Sequence, residues 1–290
     1  MTSSTIAPSL VTLSSLIAHC RDAIANPTYT NPPLTADPLT LLHTAATLAK
    51  ANITRLSVAL RPPVTDEAAQ KFLTELSASI VPTLAAAVSS CDPLAHGHVL
   101  ASEVRVAVDT LLAAIAEYVN GAETGGDRLL NTGVVWSACD RLIGLRESGA
   151  AGVVAKDLGS YTEMVGDAAA ELKTWIEEED EDGSGDDDDD EDEQGFWDRP
   201  TRKGRLDEVT KEAAEKSGKT LGLVKILFGA IKKRRLEGAG KLADVGRVDG
   251  IAGIGKEISG LADELGMAFY EEEDLETVVG TLRCESLGCR

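Results

Sequence analysis

The pattern in this chain that most invites a catalytic reading is Gly250-Ile-Ala-Gly-Ile-Gly255-Lys256-Glu257, which satisfies the GxxxxGK of a phosphate-binding loop. Such a loop presents free backbone N–H groups to phosphate where a strand turns into a helix, and a Ser or Thr hydroxyl after the lysine holds magnesium. Here Glu257 stands where the hydroxyl is needed, and no strand pattern precedes Gly250. The motif reads as a coincidence within a helix. Gly218-Lys219-Thr220 lacks the upstream glycine, because position 213 is Ala. No GxSxG occurs, and Cys139 is followed at once by Asp140 with no paired His. Paired carboxylates abound only in residues 177–193, where no scaffold would hold them at catalytic separation. His96 and His98 form an HxH pair without Cys, Asp or Glu at metal-ligand spacings, so a solvated helix start is the better account. The residues support no enzyme, and no catalytic, cofactor-binding or metal-binding residue is assigned.

Charge carries more information. The net charge is −20, yet residues 177–193 hold 14 acids and no base, and without them it is −6. Neither flanking region has the basic excess of a dedicated nucleic-acid binder. The acidic run reads either as a solubilising spacer or as an arm that mimics nucleic acid towards basic partners. Lys232-Lys233-Arg234-Arg235 is a compact basic run. It is a solvated last helical turn favoured by the helix dipole, or a nuclear-import run or weak nucleic-acid patch. Arg199, Arg202, Lys203 and Arg205 form a looser cluster able to pair with the acids, beside Phe196-Trp197, a pair that packs back or serves as a short docking motif.

The elements that must position these residues are helices. Hydrophobic residues make up 43% of the chain but aromatics only 4%, so Ala, Leu, Val and Ile must build the core. Leu10, Leu13, Leu16, Ile17, Cys20 and Ile24 mark one amphipathic helix. Asp37 is placed to cap a second, with Pro38 at its first turn and Leu41, Leu42, Ala45, Leu48, Ala49, Ile53 and Leu56 inward. A third follows Thr65-Asp66-Glu67 through Phe72, Leu76 and Ile80, with Pro82 kinking or restarting it and Asp92-Pro93 ending it. Val99–Val119, Leu129–Leu145 and Val153–Trp175 continue the series around turns at Gly125-Gly126 and Gly149. Beyond the acidic run, Leu206–Arg235 is helical, and Ile251, Ile254, Ile258, Leu261, Leu265 and Ala268 keep a heptad-like seam. Asp274–Leu282 adds a short segment. The expected organisation is an N-terminal bundle over 1–176, an acidic disordered linker over 177–203 and a C-terminal helical region over 204–290. No uninterrupted apolar run reaches 18 residues and the N-terminus lacks a basic n-region, so neither a membrane span nor a signal peptide is expected. Five cysteines without a CxxC pair suit a reducing compartment, as small buried hydrophobes.

Several stretches together resemble the cyclin-D-interacting proteins (the GCIP, or cyclin-D-binding protein, type). Asn131-Thr-Gly-Val-Val-Trp136-Ser-Ala-Cys139-Asp140 is similar to that family's Thr-Gly-x-x-Trp-x-x-Cys-Asp helix. The order of an acidic run, an aromatic pair and the helix Leu221-Gly-Leu-Val224-Lys225 is similar too, as is Ile258-Ser-Gly-Leu-Ala-Asp263-Glu264-Leu265. The likeness covers roughly residues 95–285. Spacing alone places Trp136, Cys139, Leu142 and Ile143 on one apolar helical face, a packing role. The resemblance implies an all-α fold of two antiparallel helical bundles, as in vinculin and catenins, separated by the acidic loop. It also implies a cell-cycle regulatory adaptor of nucleus and cytoplasm that binds cyclin or helix-loop-helix proteins, with Leu206–Arg235 and Leu242–Ala268 as its own helix pair. A vinculin- or catenin-like structural adaptor without a cyclin link is the alternative.

Overall fold

The computed structural model describes residues 6–26, 37–124, 128–182, 208–237 and 244–270. Among them every regular element is a helix and no strand occurs, as the Ala- and Leu-rich composition predicts. Packing divides the chain into two compact units: Met1–Val154 with Leu242–Gly250, and Ala155–Lys241 with Ile251–Arg290. The bounds expected from the acidic run rest largely on residues outside those described, as do the Gly125-Gly126 turn, Phe196-Trp197, Arg199–Arg205 and 274–282.

In the first unit, α1 (Ala7–Ala25) buries Leu10, Leu13, Ile17, Cys20 and Ile24 along one stripe. Asp37 caps α2 (Pro38–Ala59): its carboxylate accepts from the Thr40 backbone N–H at 2.9 Å while Pro38 occupies the first turn. α2 buries Leu42, Ala45, Ala49, Ile53 and Leu56, but Leu48 is 45% exposed, contrary to its expected inward place. Its stripe instead runs through Ala45-Ala46 and Ala49, small enough for close packing on α3 and α4.

α3 (Asp66–Glu75) starts with Asp66 and Glu67 at its positive end, widens into a π-turn over Leu76–Ile80 and continues as α4 (Val81–Ser90). Pro82 explains the widening, since it lacks the N–H for the ladder and its ring would press on the carbonyl one turn back. The continuous helix 66–90 is long and apolar enough to cross a bilayer. Its apolar side is nevertheless used in the core: Leu73, Leu76, Ile80, Val81 and Leu84 are buried, with α1 and α2 against it and α6 against α4.

After the single turn α5 (Pro93–His96), Gly97 turns the chain at φ 94°, left-handed backbone that favours glycine. A Cβ there would also lie 2.7 Å from Val245 Cγ1. α6 (His98–Thr124) then buries Val104, Val108, Leu111, Leu112 and Ile115 completely. Its cap comes from far along the chain. Asp249 accepts from the backbone N–H of His98 at 2.7 Å and of Val99 at 3.1 Å, which ties residues 242–250 to this unit.

α7 (Arg128–Asp182) breaks at Gly149, where φ 59° and ψ −165° leave helical geometry. Its first part buries Val135, Ala138, Cys139, Leu142 and Leu145. Its far end corrects an expectation: residues 177–182 of the acidic run are helical, not disordered. Once a helix is nucleated, each added residue costs little, so a preceding stable helix carries several carboxylates with it.

In the second unit the later part of α7 contributes Leu158, Val165, Leu172 and Trp175 to the core. α8 (Glu208–Ile231, followed by a π-turn over Lys232–Leu236) runs antiparallel to it. The register brings two lysine side chains over two glycines. A Cβ on Gly166 would meet Lys225 Nζ at 2.7 Å, and one on Gly159 would meet Lys232 Nζ at 3.0 Å. α9 (Val245–Tyr270) runs parallel to α7, with Gly255 against Leu158 and Tyr161, Ser259 near Met164, and Phe269 tilted on Trp175 at 5.7 Å.

The expected Ile/Leu seam of α9 is not the buried one. Gly255, Ser259, Ala262, Gly266 and Phe269 face inward, while Ile254 is 60% and Leu261 40% exposed. At Gly255 the missing side chain lets the α9 backbone approach Leu158 and Tyr161, where Ile or Leu would clash.

Candidate functional site

The family-type helix in α7 meets α2 in an antiparallel register of one polar rung per turn. Lys50, Thr54 and Ser57 stand at i, i+4 and i+7 on α2, facing Asp140, Trp136 and Thr132 on α7. Lys50 Nζ lies 2.6 and 2.8 Å from the Asp140 carboxylate oxygens. Trp136 Nε1 donates to Thr54 Oγ1 at 3.1 Å, leaving the indole 39% exposed at the rim. Ser57 Oγ lies 2.9 Å from both Tyr118 OH and Thr132 Oγ1, an inner hydroxyl cluster joining α2, α6 and α7. Behind the rungs, Cys139 is fully buried, and burial pushes its thiol up to about 12 with Asp140 adding to the shift. A thiol held neutral in this way is no nucleophile at physiological pH.

Of the three family-motif residues, Cys139 is packing, Asp140 is an exposed ion-pair partner and Trp136 is a rim aromatic held by its N–H. Lys50, Thr54 and Ser57 escaped the sequence reading. Their signal was polar spacing of four and three residues on α2, met across the seam by Thr132, Trp136 and Asp140 at steps of four on α7.

The remaining candidates lie elsewhere. In the basic run, Lys233, Arg234 and Arg235 are exposed on the π-turn that ends α8, while Lys232 lies over Gly159 with Glu237 at 3.9 Å. Gly250–Glu257 lies wholly inside α9, so its N–H groups belong to the helix and cradle no phosphate. No group of His, Cys, Asp or Glu able to hold a metal occurs among the described residues, His96 and His98 included. An open cleft of ≈ 760 Å³ between α1 and α6 is bridged by Arg21, which donates to both Asp109 oxygens at 2.7 and 3.1 Å. Arg21 and Asp109 are thereby paired with each other within the protein.

The outer face of α8 is unlike the rest. Leu223, Ile226 and Leu227 are 68, 69 and 52% exposed, whereas Leu221 and Phe228 on the opposite side are buried. The seating of Leu221, Phe228 and the two lysines towards α7 turns Leu223 and Leu227 outward.

Residues 41–178 match the family model described as Grap2 and cyclin-D-interacting, N-terminal, a stretch that holds both sides of the α2–α7 seam. An uncharacterized protein of Schizosaccharomyces pombe is 26% identical over 220 residues, which cover 70% of this chain and 63% of that relative. No solved structure matches. Residues 41–178 thus carry a domain similar to the N-terminal domain of the Grap2 and cyclin-D-interacting (GCIP) type.

Proposed function

We propose that this protein is a non-enzymatic regulatory adaptor of the cyclin-D-binding type, acting in cell-cycle control through its helical surfaces. The observation that carries the reading is the family match over residues 41–178, which includes the Trp136–Cys139–Asp140 helix. The chemistry of the side chains agrees with it. The cysteines at 20, 91 and 139 are buried, the hydroxyl cluster is spent on helix packing and the cleft between α1 and α6 is bridged by its own ion pair. Partners of the cyclin or helix-loop-helix kind would meet helix faces rather than a pocket. Work in both nucleus and cytoplasm follows if the exposed Lys233, Arg234 and Arg235 serve, with Lys232, as an import run. The two helical units also leave room for a two-bundle arrangement of vinculin or catenin kind, and with it a structural adaptor without a cyclin link.

The deciding experiment is capture of a purified D-type cyclin by the immobilised full chain, with a cytoskeletal or junction extract in parallel. Saturable cyclin capture supports the adaptor reading. Failure to capture it, with retention of junction proteins, sinks that reading in favour of the structural one. Imaging of a Lys232–Arg235 tetra-alanine variant reports on import, and an unchanged nuclear signal removes that role from the run.

A further inference from the structure

An exposed leucine needs no explanation by itself, but three large apolar side chains within five residues on one helix face form a contiguous strip. Leu223, Ile226 and Leu227 do so on α8, directly opposite the face that Leu221, Lys225, Phe228 and Lys232 turn towards α7. One to two turns beyond the strip on one side are Lys216 and Lys219, held by Glu212 at 2.7 Å and Glu215 at 3.1 Å. On the other side are Lys233 and Arg234, which with Arg235 make no ion pair among the described residues. Among the described residues, positive charge without an acidic partner therefore lies at the C-terminal end of the strip.

We propose that this strip is a docking site for an amphipathic α-helix of a partner protein, with apolar residues spaced three and four apart and acidic residues placed over Lys233 and Arg234. The inference rests on the adaptor reading above and assigns it a surface. A helix matches the strip because its apolar side chains recur at the same period. Acid at one end matches the free bases and fixes the direction of docking. A second copy of α8 fits worse. Antiparallel pairing centred on the strip sets Lys216 opposite Arg234, and parallel pairing sets every base against itself. An anionic membrane fits worse too, since Glu212 and Glu215 share the outward side and the strip is little more than one turn long.

The test uses the full chain and a labelled peptide of about 18 residues, with leucines at i, i+3, i+4 and i+7 and glutamates towards one end. A peptide with lysines for the glutamates and vesicles of phosphatidylcholine and phosphatidylserine are run alongside. The acidic peptide should bind, more weakly as salt rises. Ile226→Glu with Leu227→Glu should weaken it by roughly tenfold or more. Lys233→Glu with Arg234→Glu should weaken it several-fold and favour the lysine peptide. Both variants change exposed residues and should keep the wild-type circular dichroism. No peptide binding, or equal binding by wild type and both variants, overturns the proposal, as does vesicle binding alone or a wild-type dimer split by the apolar variant. D-type cyclin capture by the same proteins separates the two readings. Capture that persists in both variants sinks this surface and leaves the adaptor. Peptide binding without any cyclin capture sinks the cyclin link and leaves the strip.

Discussion

Two glycines two residues apart on α9 provide a measurable test of how the second unit is packed. Gly253 faces open space, with nothing within 4 Å of a Cβ built on it. At Gly255 the same Cβ would sit 3.1 Å from Leu158 Cδ1 and 3.3 Å from Tyr161 Cδ2. Alanine favours a helix interior over glycine by ~1 kcal/mol, so Gly253→Ala should stabilise the protein by about that amount. Gly255→Ala receives the same gain, but ordinary carbon contacts lie at roughly 3.5–4.0 Å, so both neighbours must give way. Leu158 is buried and fixed, whereas Tyr161 is partly exposed and has room to move. Overpacking at the lower end of ~1–3 kcal/mol therefore applies. The two variants should differ by ~1–2 kcal/mol, with Gly253→Ala above wild type and Gly255→Ala at or below it. Urea unfolding followed by circular dichroism and by the fluorescence of Trp175, which packs on Phe269, reads this directly. Equal stabilisation by both would mean that α9 does not present its small residues to α7. The outward placement of Ile254 and Leu261 would then lose its explanation.

Three further outcomes follow from the first unit. Asp249→Ala removes the only side-chain acceptor found for the first two α6 N–H groups among the described residues, and should cost about 1–2 kcal/mol in thermal unfolding. Asp249→Asn should recover part of it. Tyr118→Phe deletes one arm of the hydroxyl cluster but leaves Ser57 paired with Thr132, so its cost should stay near 0.5–1.5 kcal/mol by the same assay. Burial pushes Cys91 up to about 11 and Cys139 to about 12 from an ordinary 9.0, so folding favours the neutral thiol. Their contribution is whole below about pH 9 and is lost as pH rises through 11 to 12, because the unfolded chain ionises first. Urea midpoints from pH 8 to 11 should fall less steeply in Cys91→Ala/Cys139→Ala than in wild type, and an equal slope would refute the assignment.

The helices were legible because their signals are local. Leu10 to Ile24 repeat at helical spacing, Asp37-Pro38 combines a cap with a first-turn proline, and Pro82 announces a disturbance that the structure realises as a π-turn. Which face of a helix turns inward was less legible wherever more than one apolar stripe exists. On α9 the heavier Ile/Leu stripe seemed the natural core, yet the glycine–serine–alanine stripe is buried. Hydrophobicity ranks faces by transfer energy, whereas α7 carries Tyr161 and Leu158 at the contact and selects for absence of volume. Lys225 and Lys232 show the same limit: charged residues look solvent-facing, but the end of Lys225 lies over Gly166 and that of Lys232 over Gly159, with Glu237 3.9 Å away.

That inversion links fold to candidate function. With Leu221, Phe228 and the side chains of Lys225 and Lys232 on the face towards α7, the apolar residues half a turn away on α8 point outward. Leu223, Ile226 and Leu227 are therefore exposed as a consequence of how α8 is seated, not as an isolated oddity. The α2–α7 seam shows the opposite economy, with each polar residue answered by another across the interface and little left over. A binding surface is sought where chemistry is unspent. By that criterion the Trp136–Asp140 helix, for all its recognisable sequence, serves mainly to hold its unit together, and the outer face of α8 is where a partner helix would find both apolar contact and free charge.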